Sequence, residues 1–195
     1  MGGGDKCLRL VGGRPILDRI VARVQGQVMA LAISANGDPE RFAALALPVV
    51  GDSLAAFPGP LAGILAGLDW AAGLGGFSHL ASFAGDAPFL PGDLVARLTA
   101  ALSDGRHDLA YAVSAGRAHP VFALWPMARR AELRRALTQE GLRKVELWAA
   151  RHRAVAVEFA AGPLDPFFNV NGPADLIEAE RLAPIDRGPE SGPIE

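Results

Sequence analysis

The chain has 195 residues, half of them hydrophobic, and a formal net charge of −2. That length and apolar content suit one domain with a full core and exclude a disordered chain. The near-neutral charge excludes the basic footprint of a nucleic-acid binder, and the lone Cys7 excludes an internal disulfide and a cysteine-based zinc cluster.

The opening run, MGGGDKCLRLVGGRP, reads as a Gly-rich turn ending in Asp5 and Lys6. Backbone N–H groups in such a turn suit phosphate oxygens, and a lysine adds a full positive charge. A flexible N-terminus is the plainer reading. Such turns normally follow a buried strand, and none stands before this one. Cys7 beside it reads as a small packing residue. Ile16, Leu17, Ile20 and Val24 then recur at helical spacing, with Pro15 suited to the first turn. Residues 28–33 form an apolar run of strand length, ended by SANGD. A short helix over 39–46 and a short strand over 48–50 lead into Gly51, Asp52 and Ser53.

Residues 60–72 form a small-residue helix with Leu61, Ile64, Leu65 and Leu68 on one face. An apolar strand over 79–84 runs into Gly85 and Asp86, and a helix spans 91–102. Strands over 110–113 and 121–124 flank a turn at 116–120. Helical segments at 128–137 and 142–152 precede a strand at 155–159, the FFNVNGP segment and a helix over 174–182. Residues 183–195, APIDRGPESGPIE, read as a disordered tail. The apolar stretches are broken well before the ~18 residues a membrane span needs. The expected setting is therefore the cytoplasm, without membrane or nucleic acid as a partner.

Alternating strands and helices predict one α/β domain over 1–182, with a mostly parallel sheet between helix layers. In such sheets ligands sit at the carboxyl ends of the strands. SANGD, GDS, GDAP and FNVNGP each follow a strand-like run, so all four fall on one rim. Asp86 there suits magnesium at a nucleotide site, or a loop cap. Gly59 and Gly63 allow close backbone approach to a flat or phosphorylated ligand. Asn169 and Asn171 share a face if the backbone is extended; Asx-turn chemistry is the alternative. Arg143 and Lys144 at a helix start suit anion capture or a solvated basic face. No Ser/His/Asp or Cys/His nucleophile set is visible.

In order, MGGGDKCL, SANGD, GDSLAAFPGPLAGI, GDAPFLP, HPVFALW, GLRKVELW and FFNVNGPADL resemble the MobA-like molybdenum cofactor guanylyltransferases, over nearly the whole chain to Leu182. PGPLAG favours that branch over the cytidylyltransferases of the same fold. The resemblance implies a Rossmann-like nucleotide-binding three-layer sandwich. It implies transfer of GMP from GTP to the terminal phosphate of molybdopterin, with magnesium and release of pyrophosphate. Lys6 would contact the GTP phosphates, Asn36 and Asp52 would bind GTP, and Asp86 would bind both GTP and metal, with Lys6 and Asp86 as the catalytic pair. Arg143, Lys144, Asn169 and Asn171 would face the pterin. Molybdenum-insertion proteins and molybdoenzyme chaperones are implied partners. His119 matches a family motif without an assigned role.

The sequence departs from the family pattern at two places. Ser34 stands where the family has an asparagine, and the family's first strand with its LAGGxxxR loop does not precede Met1. The expected consequence is a gap between the strand near 28–33 and the one near 79–84, with poor solubility and weak GTP binding for the chain starting at Met1. Two further readings stay open. One is a non-catalytic homologue that binds pterin or a partner protein. The other is a nucleotidyltransferase acting on another phosphorylated acceptor.

Overall fold

The computed structural model describes residues 5–54 and 59–186. The first glycines of the opening turn, Pro58 of the PGPLAG motif and the tail from 187 onward lie outside the described residues. A 3-10 turn, Lys6–Leu8, leads into a two-residue hairpin, β1 (Leu10–Val11) and β2 (Arg14–Pro15). Helix α1 (Ile16–Val24) buries Ile16, Leu17, Ile20 and Val24, the apolar positions expected from their spacing. Strand β3 (Ile33–Ser34) pairs in parallel with β4 (Val49–Val50), and a 3-10 segment, Pro39–Leu45, crosses between them.

Helix α2 (Pro60–Leu74) is apolar on nearly every face. Strand β5 (His79–Ser82), helix α3 (Leu94–Ala100), and strands β6 (Leu109–Ser114) and β7 (Arg117–Pro126) follow. Helices α4 (Arg130–Thr138) and α5 (Val145–Ala149), strand β8 (Ala154–Phe159) and helix α6 (Pro173–Leu182) complete the order. The larger sheet has the order β5-β7-β6-β8. Strands β5, β6 and β8 run one way and β7 alone runs against them.

Side-chain alternation splits the core between the two faces of this sheet. Ala110, Ala112, Phe122 and Leu124 pack with Ile20, Leu94, Leu98 and Ala179, from α1, α3 and α6. Leu109, Ala123 and Trp125 pack with Leu65, Leu68, Leu133 and Trp148, from α2, α4 and α5. Three layers result. A smaller cluster of Leu17, Ile33 and Phe42 holds the β3–β4 unit to α1.

Three expectations need correction. The turn expected at 116–120 is only two residues long. Ala115 and Gly116 have φ of 47° and 73°, the doubly positive pattern that matches strand twist in tight hairpins, and Arg117–Pro120 belong to β7. The run at 28–33 contributes ladder bonds only at its end, and among the described residues β3 has a strand neighbour on one side alone; Met29 is 91% exposed. The tail expected from 183 does not hold for its first four residues. Ala183–Ile185 form a 3-10 turn, and the Asp186 carboxylate bridges Arg19 and Arg23 at 2.5 Å each.

The expected gap is present. No ladder joins β3 to β5, and a cavity of about 880 Å³ separates them. Leu17, Ile20 and Val24 of α1 line one wall, and Gly63, Ile64 and Gly67 of α2 line another.

Candidate active site

One end of that cavity is polar, and the strand ends build it. Asp5, Ser34, Asn36, Arg41, Asp52 and Gly85 all line it there. As β3 ends, the chain places Asn36 against the end of β4. Asn36 Nδ2 donates to Asp52 Oδ2 at 2.7 Å, and the Asp52 N–H donates back to Asn36 Oδ1 at 2.9 Å. This reciprocal pair fixes the carboxylate and amide relative to each other. Arg41 donates to the Asn36 carbonyl at 2.5 Å and pairs with Asp5, also at 2.5 Å. Arg41 therefore ties the opening turn to the β3 end, a function with no local signal in the sequence.

The start of α2 approaches this pair closely. A Cβ placed on Gly63 would lie 3.0 Å from Ser34 Oγ and 4.0 Å from Asp52 Oδ1. A larger residue there would crowd the Ser34 hydroxyl, which would have to give by a few tenths of an ångström, so the close approach rather than the backbone conformation favours glycine.

Asp86 sits in the turn after β5, half-buried. Burial raises its carboxyl above the ordinary carboxylate range, while its own backbone N–H and the Lys6 ammonium pull it down. The exposed Lys6 thus acts electrostatically on Asp86. Burial also pushes up the Cys7 thiol, with Asp5 adding to the effect. That favours the packing reading of this residue, since a nucleophile needs the thiolate.

The loop after β8 reaches the same point from the other side. The Val170 N–H donates to the Asp86 carbonyl at 2.8 Å. Asn169 and Asn171 flank that anchor. Asn169 Oδ1 is buried without a hydrogen-bond partner, and the Asn171 N–H is taken by Asp175 at 2.9 Å. Asp86 and the two asparagines therefore converge, although 83 residues separate Asp86 from Asn169 in the chain. Arg143 and Lys144 are exposed on the segment entering α5, with Lys144 at its N-cap, and the Asp86–Val170 junction does not involve them.

Parallel strand ends that carry a fixed carboxylate–amide pair, with a second carboxylate under the influence of a lysine, define the class: an α/β domain with a polar crevice on one rim of its strands. The chain belongs to the MobA-like NTP transferase domain family, whose model matches residues 1–155. It is 52% identical over 184 residues to a molybdenum cofactor guanylyltransferase from Rhodopseudomonas palustris, covering 94% of this chain and 88% of that one. A protein of the same name from Nitrobacter hamburgensis is 50% identical over 189 residues, with 96% and 90% covered. The fold is that of the molybdopterin-guanine dinucleotide biosynthesis protein A from Archaeoglobus fulgidus, with a TM-score of 0.71 at 21% identity and coverage of 94% and 92%.

Proposed function

We propose that this chain transfers GMP from GTP to the terminal phosphate of molybdopterin. The observation that carries the reading is the bond between the Val170 N–H and the Asp86 carbonyl, in a chain half identical to named guanylyltransferases. It joins the backbone of the turn that bears the carboxylate suited to the nucleotide side to the asparagine loop suited to the pterin side.

In the reaction an acceptor phosphate oxygen attacks the α-phosphorus of GTP and a new P–O bond forms. The bond to the bridging oxygen of the β-phosphate breaks, and pyrophosphate leaves with the electron pair. The attacking oxygen is already anionic near neutral pH, so the site needs alignment and charge neutralisation more than a base. Asn36 and Asp52 bind and orient the nucleotide. Lys6 faces the phosphates. Asn169 and Asn171 orient the acceptor, with Arg143 and Lys144 supplying positive charge on that side.

Among the described residues no cage of three or more His, Cys, Asp or Glu side chains gathers. Magnesium does not require one, since it takes one or two carboxylates plus substrate phosphates. Asp86 fits that role: it lies half-buried on the rim beside Lys6. Magnesium bound there would offset charge on the phosphates.

The test is magnesium-dependent transfer from GTP to molybdopterin. Asp86→Asn should lower the rate about a hundredfold or more, with an unchanged circular dichroism spectrum. Near-normal turnover by a folded Asp86→Asn protein would overturn the assignment.

A further inference from the structure

The loop that carries Asn169 and Asn171 is anchored at two points. One is Val170 on Asp86. The other is a buried polar relay that reaches back to the β6–β7 hairpin. Asp165 Oδ1 accepts from the Phe167 N–H at 3.0 Å and from Ser114 Oγ at 2.8 Å. Ser114 Oγ also lies 2.8 Å from His119 Nε2. Ser114 has no exposed surface and His119 is 7% exposed.

The proton positions follow from donor counting. An ionised carboxylate only accepts, so the single hydroxyl proton of Ser114 is committed to Asp165. Ser114 Oγ must then accept from His119, and Nε2 carries a proton. Burial lowers the imidazole below its ordinary range; Asp165 opposes this and Arg117 adds to it. The order is His119 to Ser114 to Asp165, with the serine in the middle. In a nucleophilic triad the histidine stands in the middle, so this set is not one.

His119 has a second hold on the same loop. Its ring packs on Phe167 at 4.8 Å between centroids, and Phe167 also meets Phe122 at 4.9 Å and Phe159 at 5.4 Å. Phe167 stands two residues before Asn169. Both the relay and the stack therefore fix where the asparagines begin.

We infer that His119, acting through Ser114 and Asp165, is a positioning residue that sets the acceptor side of the crevice. This rests on the reading of the Asn169–Asn171 loop as the acceptor side. Breaking the relay leaves the half-buried Asp165 carboxylate or the buried Ser114 hydroxyl short of a partner and frees the loop between Phe159 and Val170.

The experiment compares His119→Ala, His119→Gln and Ser114→Ala in steady-state transfer. In His119→Ala, KM for molybdopterin should rise about tenfold or more, with KM for GTP within about twofold. Glutamine places an N–H donor near the position of Nε2 and should restore the share of the loss that the relay carries, though not the share of the ring stack. Ser114→Ala, which keeps the ring on Phe167, should raise the same KM by no more than His119→Ala does, and the double variant should be no worse than His119→Ala. Equal rises in both KM values, additive losses, or a glutamine variant no better than alanine would overturn the inference. Amide exchange gives a second readout: Phe167 and Val170 should lose protection in His119→Ala and Ser114→Ala while Ala112 and Val113 keep theirs. If the unsubstituted chain transfers nothing, the functional reading fails while exchange at Phe167 and Val170 still decides the relay. Unchanged protection there would sink it.

Discussion

Asn169 and Asn171 divide the labour of one short segment. The side-chain oxygen of Asn169 is buried without a partner, and the backbone N–H of Asn171 is spent on Asp175, which caps α6. A buried amide oxygen left unpaired costs about 1–3 kcal/mol unless a ligand meets it. On the proposed reading of the acceptor side, Asn171→Ala and Arg143→Ala should weaken molybdopterin binding more than GTP binding, by about tenfold in the titration of each variant. A selective loss of GTP affinity would reverse the assignment of the two sides. At this scale the sequence showed which polar residues follow apolar runs. Asn36, Asp52, Asp86 and the asparagine pair each follow an apolar run, so alternation alone puts them on the rim. It did not show Arg41, whose value lies in an ion pair to Asp5, or the pairing of Ser114 with Asp165 across 51 residues. Such contacts depend on how elements pack, and no local pattern encodes them.

Among the elements, the end of the described chain is the clearest departure from expectation. Pro, Gly and charge over 183–195 carry the composition of a tail, yet Asp186 is 8% exposed between Arg19 and Arg23. Those arginines stand four residues apart on α1, so one carboxylate reaches both. Arg23 also donates to the Pro88 carbonyl at 2.6 Å, which links α1 to the segment just after Asp86. Asp186→Ala would leave a guanidinium that is 4% exposed without its counter-charge. The expected cost is about 3–5 kcal/mol, read as a lower urea midpoint with unchanged slope. Asp186→Asn, which keeps one acceptor, should lose less. A midpoint shift below about 1 kcal/mol would show that the pair is solvated and of little weight. The hairpin turn follows the same rule as the tail. Gly116 signalled a turn, but Ala115 beside it adopts positive φ only because the strands on either side demand it.

For the whole molecule, the alternation of apolar runs was enough to give the layers and the rim, but not the reversal of β7, which makes its ladders with β5 and β6 antiparallel. The spatial order of strands was not legible, since β7 inserts between β5 and β6 through pairings of large sequence separation. The separation of β3 from β5 has a consequence for cooperativity. Ile33 and Ala35 find their backbone acceptors on Pro48 and Val50, so the ladder of the β3–β4 unit closes on itself. It is coupled to the larger sheet by side-chain packing across α1 and α2 rather than by strand hydrogen bonds. Local opening of that unit should therefore be separable from global unfolding. Amide exchange should release Ile33 and Ala35 at lower denaturant than Ala110–Ser114, and simultaneous release would show a single unit. Asn36 and Asp52 lie on the weakly coupled unit, whereas Asp86 belongs to the larger sheet. A nucleotide held by both would bind only when they are aligned, and by mass action it would stabilise the joined state. The substrate would then act as the missing mechanical link, and exchange at Ile33 should slow toward the global rate as GTP is added.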